Sequence, residues 1–149
     1  MRCLEVADSD VHLLASQYSL IDHVNAVEAV FPRARQAGVS FVVGSSLNAG
    51  YLGGEPHYNY GEENTLIPDE KRERLATPCA VAGRHGVDLL AAALQFSQAP
   101  DVTFALIVGA ARSEHILADH AALRAKIPPG FWEELRATGI VHPQASTPS

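Results

Sequence analysis

Two short apolar runs constrain this chain more than anything else in it. "VSFVVG" (39–44) and "VTFALIVG" (102–109) hold almost nothing that water would stabilise, and each stops at a glycine followed by a polar loop. Strands apolar on both faces belong inside a parallel sheet flanked by helices. "DVHLLAS" (10–16) is a third and more mixed candidate. Helical spacing fills the segments between, so the order reads (α)βαβααβαα. Strands alternating with helices are parallel strands joined by right-handed crossovers, and ligands bind where such strands end. Gly44 and Gly109 stand at two of those ends.

The helical segments carry their own punctuation. Val24, Val27, Phe31 and Ala34 recur at spacings of three and four, predicting an amphipathic helix over 24–38 that ends at Gly38 and bends at Pro32. Residues 68–86 predict a helix interrupted near Pro78. Residues 88–99 predict a strongly apolar helix with Asp88 as N-cap and Pro100 as its stop. A helix over 113–123 capped by Ser113 and another over 128–139 follow. "CLEVAD" (3–8) reads as the last turn of a helix and 45–66 as a long loop. Residues 142–149 read as a disordered tail after a single domain over 1–141.

With 149 residues, one domain is expected. A formal charge of −6 with no basic cluster argues against nucleic acid as a partner. Lys71, Arg72 and Arg74 stand together, but Asp69, Glu70 and Glu73 neutralise them into a solvated helix face. No apolar run approaches the roughly 18 residues of a membrane span, and "MRCLEVADSD" is not a secretory signal. Cys3 and Cys79 read as reduced thiols, and the location expected is the cytoplasm.

The loops after the two glycines are the candidate sites. Gly44, Gly50, Gly53 and Gly54 let backbone approach a ligand, while Ser45, Ser46 and Asn48 add hydrogen-bonding groups. "GAARSEH" (109–115) joins Gly109, the cation Arg112 and a helix start, a combination that favours an anion. Two such loops on one sheet edge suit a dinucleotide, although neither a G-x-G-x-x-G fingerprint nor a phosphate loop ending in Gly-Lys-Ser/Thr is present. The seven histidines do not form a metal motif. His115 and His120 are five apart, His12 and His23 flank a strand, and His57 lies in a loop. No G-x-S-x-G elbow supports a serine nucleophile.

Six stretches in register carry a resemblance: "LLASQYSLID" (13–22), "VVGSSLNAGYLGG" (42–54), "HYNY" (57–60), "RHGVDLLAAALQF" (84–96), "IVGAARSEHILAD" (107–119) and "IPPGFWEELRATGIV" (127–141). In this order they resemble the aldo-keto reductases, most of all the aldose dehydrogenase branch acting on L-fucose and D-threo-aldoses. The resemblance implies an α/β fold, a partial (β/α)8 TIM barrel holding the last three parallel strands with their helices, in a chain about half the length of a whole barrel. It also implies hydride transfer between a nicotinamide cofactor and a sugar or aldehyde.

The family's Asp–Tyr–Lys–His catalytic set sits on earlier strands, so no catalytic residue is assigned here. Tyr18, Tyr51, Tyr58 and Tyr60 are not promoted to that role, since neither Lys71 nor Lys126 accompanies them in the sequence. The resemblance assigns cofactor binding to Ser45, Ser46, Leu47, Asn48 and Gly50 around the pyrophosphate. It assigns Gly109, Ala110, Ala111, Arg112, His115 and Asp119 to the adenosine end. Gly109 and His115 stand where NADP-preferring relatives place cations, and Asp119 replaces a common asparagine, so NAD is expected and NADP possible. Ala15 and Gly44 replace a glutamine and an aromatic ring beside the nicotinamide, as in the aldose branch. Tyr58 and Tyr60 would face the sugar. Three strands leave an open barrel edge, through which the chain is expected to self-associate or pair with a complementary fragment. The alternative is a non-catalytic module that binds a dinucleotide or a partner.

Overall fold

The three apolar runs become β1 (Val11–Ala15), β2 (Ser40–Gly44) and β3 (Thr103–Ile107) of one sheet. In this computed structural model, Leu4, residues 9–56, Tyr58 and residues 67–148 are described. The strands lie side by side in chain order, both pairs parallel. Ala15 pairs with Gly44 and Gly44 with Ile107, so all three strands end at one level. The register slips at Phe41/Val42, where Thr103 and Ala105 take consecutive partners and Phe104 is the extra residue.

The helices are α1 (Phe31–Ala37), α2 (Asp69–His85), α3 (Leu89–Gln98), α4 (Ser113–Ala122) and α5 (Pro129–Ala137). A π-helical turn, Ala26–Val30, runs into α1, and the Phe31 N–H closes it on the Ala26 carbonyl. The wider turn precedes Pro32, which has no N–H to offer the preceding turn. Gly38 ends α1 in the left-handed conformation at φ 69°. Asp88 caps α3 as expected, its Oδ1 accepting from the Leu90 N–H at 3.0 Å.

Two expectations fail here. Helix α2 is not interrupted at Pro78: it continues to His85, with Pro78, Val81 and Ala82 buried. Packing of its last turns on α5 outweighs the missing donor, and Glu134 of α5 accepts from both Arg84 and His85. Ser113 is not the cap of α4 but its first residue, while Arg112 holds the cap position without a side-chain bond. Of the helix end read over 3–8, all but Leu4 lies outside the described residues.

Alternation splits the sheet into unlike faces. Leu14, Phe41 and Val43 turn toward the helices and are buried with Phe31, Tyr18, Phe96, Phe131 and Trp132. Tyr18 stacks on Phe96 at 5.1 Å between ring centroids, and Phe96 on Trp132 at 6.3 Å. Helix α3, whose apolar surface asked for cover, receives it from β3, α2, α4 and the turn after Gly50. On the opposite face Leu13 is 63% exposed and Ile107 57%, and the bulged Phe104 is 73% exposed. A parallel sheet is ordinarily covered on both sides.

Residues 142–148, read from sequence as a tail unable to bury itself, lie against the body. Ala145 is buried, and Arg136 Nη2 donates to the Ala145 carbonyl at 3.0 Å and to Thr147 Oγ1 at 2.8 Å. Among the described residues no helix is long and apolar enough to cross a membrane.

Candidate functional site

Backbone conformation singles out the edge where the strands end. Among the described residues, four that are not glycine have positive φ: Ser16 (57°), Ser45 (60°), Asn48 (49°) and Ala49 (61°). Ser16 follows β1 directly and Ser45 follows β2 directly. Left-handed backbone at a residue with a Cβ costs about 1–2 kcal/mol, and such strain gathers at ligand-binding positions.

The loop after β2 is tied into a tight spiral. Asn48 N–H bonds the Ser45 carbonyl at 3.0 Å, and the Gly50 and Leu52 amides both bond Leu47 at 3.1 Å. A short 3₁₀ turn, Tyr51–Gly53, follows, and the Glu55 amide returns to the Gly50 carbonyl at 3.0 Å. Gly50 is required there: its φ is 94°, and a Cβ would stand 2.8 Å from Glu55 Cγ.

This spiral and the loop after β3 face each other across a cavity of about 670 Å³. Ser45, Ser46, Leu47 and Gly50 line it from one side, and Gly109, Ala111 and His115 from the other. Ala15, Gly44 and Ile107 at the strand ends, with Leu13 midway along β1, form part of its lining. The Ser46 side chain is buried, and its Oγ has no hydrogen-bond partner among the described residues. A buried hydroxyl left so is costly unless something in the cavity meets it.

The remaining predicted residues sit around this cavity without lining it. Asn48 is buried in the spiral, and Ala110 is exposed. Arg112 is exposed beside His115, donating from Nη2 to His115 Nε2 at 2.8 Å, which places the imidazole proton on Nδ1. Its Nε lies 3.6 Å from Glu114 Oε2. Asp119 is half-buried on α4, and burial pushes its carboxyl above the usual range, with His115 opposing. Gly109 has no heavy atom within 4 Å of where a Cβ would stand, so the backbone there is open to approach.

Tyr58 is turned away from the cavity. Its ring is buried and its hydroxyl donates to Asp22 Oδ2, while Lys71 Nζ reaches Asp22 Oδ1 at 2.5 Å. A lysine therefore does stand near a tyrosine, joined through a carboxylate 36 and 49 residues away in the chain, which no spacing rule reveals. None of these three side chains lines the cavity. Tyr60 and His57 lie outside the described residues. Glu55 and Ser16 were missed from sequence; only the loop's glycine content hinted at the turn that places Glu55. Among the described residues no group of three or more His, Cys, Asp and Glu is placed to hold a metal.

No family model matches the chain. It is 33% identical over 147 residues to D-threo-aldose 1-dehydrogenase of a Pseudomonas species, covering 94% of this chain and 43% of that protein. It is 32% identical over 142 residues to pyridoxal 4-dehydrogenase of Microbacterium luteolum, covering 93% and 40%. The fold superposes on aldo-keto reductase AKR11C1 from Bacillus halodurans in its holo form with a TM-score of 0.65 at 22% identity. That match takes in 99% of this chain and 47% of the other. The chain thus spans less than half the length of the relatives it matches.

Proposed function

We propose that this chain, which by sequence and fold corresponds to the carboxyl-terminal part of an aldo-keto reductase, forms the dinucleotide side of a site converting sugars or aldehydes. The observation that carries the reading is the cavity between the two strand-end loops, lined in part by Ser46, whose buried hydroxyl has no partner among the described residues. A bound nicotinamide would supply the hydride. The Ser45–Gly50 spiral would hold the pyrophosphate. The first turn of α4, left without a side-chain cap, would offer N–H groups to the adenosine end beside Arg112.

NAD fits better than NADP. The stretch 109–119 holds Arg112 as its lone Lys or Arg, and Glu114 and Asp119 are acidic. A second, dianionic phosphate would meet less positive charge than it needs.

The proton-transferring group belongs elsewhere. The family's Asp–Tyr–Lys–His positions have no counterpart in this chain, and Tyr58 is committed to Asp22. Turnover then requires the rest of a barrel, which would join at the sheet edges and enclose the face carrying Leu13 and Ile107. Without it, a second copy would pair through the open barrel edge.

The deciding experiment is a titration of the folded chain with NADH and NADPH, following nicotinamide fluorescence, with sedimentation velocity on the same samples. Saturable binding of NADH tighter than NADPH, with association of the chain and no aldehyde reduction above a buffer control, is expected. Absence of binding to both would sink the cofactor reading, and turnover by the chain alone would sink the account of its missing acid.

A further inference from the structure

We propose that Asp22 is a positioning residue that sets the shape of the dinucleotide cavity from outside it, by holding Tyr58 and Lys71 together. The proposal rests on reading that cavity as the cofactor site.

The anchor is rigid before it binds anything. Ser19 and Asp22 close a tight turn through Ser19 N–H to the Asp22 carbonyl at 2.8 Å and Asp22 N–H to the Ser19 carbonyl at 3.2 Å. The Asp22 N–H is also 3.2 Å from Ser19 Oγ. Leu20 and Ile21, inside the turn, are fully buried. His23, next in the chain, is fixed at both ring nitrogens by the Ser19 carbonyl and the His142 N–H. The carboxylate is thus mounted on backbone that cannot follow a moving partner.

What it holds is Tyr58, beyond the described stretch 45–56 that follows β2, and Lys71 at the start of α2. That stretch builds one wall of the cavity. The ring of Tyr58 meets that of Tyr51 edge-on, 5.6 Å between centroids at 87°. Tyr51 opens the 3₁₀ turn directly after Gly50, and Glu55 closes that turn; Gly50 and Glu55 both line the cavity. Fixing the Tyr58 hydroxyl therefore fixes the ring against which the turn packs. Lys71, in the first turn of α2 with its side chain 18% exposed, pins the start of that helix to the same carboxylate. Tyr58 and Lys71 are thus brought to one carboxylate, and that carboxylate does not line the cavity.

The test compares Asp22→Asn, Tyr58→Phe and their double variant with the parent chain by amide hydrogen exchange and NADH titration. Exchange at the Gly53, Gly54 and Glu55 amides, which close the turn, is expected to rise about tenfold in each variant while the β2 amides keep their protection. NADH affinity is expected to fall about fivefold, and the double variant to be no worse than the weaker single one. Unchanged exchange at 53–55 overturns the proposal, and so does a rise spread equally over β2, which marks a merely structural role. If even the parent binds no NADH, the cofactor reading fails alone: a local rise in exchange still upholds Asp22 as anchor of the turn.

Discussion

Two buried hydroxyls separate folding from binding at the scale of single residues. Neither Tyr18 OH nor Ser46 Oγ has a hydrogen-bond partner among the described residues. Tyr18 is enclosed by the rings of Phe31, Phe96 and His23, and burial alone pushes its phenol well above the usual range. It does not line the candidate site, so Tyr18→Phe should stabilise the chain by about 1 kcal/mol in urea unfolding, removing an oxygen that no described residue satisfies. Ser46 differs because it lines the candidate site. Ser46→Ala should leave stability unchanged or slightly raised and yet weaken NADH binding about fivefold. Equal affinity in the alanine variant would take Ser46 out of the site.

At the scale of elements, Arg112 stands where a helix wants a small oxygen-bearing side chain. Its backbone is extended (φ −141°, ψ 154°), the conformation from which Ser or Asp caps the next amides, and it makes no side-chain cap. Arg112→Ser should therefore gain about 0.5–1 kcal/mol in thermal unfolding while losing dinucleotide affinity. A variant gaining both would show that the guanidinium never meets the ligand. The strands, the Asp88 cap and the Gly38 stop were legible because each rests on its immediate neighbours: apolar runs, a carboxylate two residues from an amide, a glycine at a left-handed turn. The cavity was legible in part for the same reason, since Ser45, Ser46, Gly50 and Gly109 flank strand ends. Pro78 misled because local propensity yields to packing far along the chain, where Arg84 and His85 meet Glu134. Asp22 was invisible because its meaning lies in two partners that spacing cannot bring together.

For the whole molecule, His23 ties the first loop to the last segment. Nδ1 donates to the Ser19 carbonyl at 3.0 Å and Nε2 accepts from the His142 N–H at 3.0 Å, so the ring is held neutral. Burial is the main cause that lowers its pKa to about 4; Arg74 and His142 add to the effect, and the Ser19 carbonyl and Asp22 oppose it. The unfolded chain, with an ordinary imidazole, binds the extra proton first as pH falls. The stability that His23 contributes is therefore complete above about pH 6.5, declines by about 3 kcal/mol toward pH 4 and levels below it. Urea midpoints measured across that window should show the decline, and His23→Gln should flatten it. The sheet has a different consequence. Among the described residues its order leaves the outer edges of β1 and β3 unpaired beside a bare apolar face. Inside a cell such surfaces are what chaperones hold and proteases clear. Where that face stays open to water such capture shortens the lifetime of the fold, and whatever covers the face lengthens it.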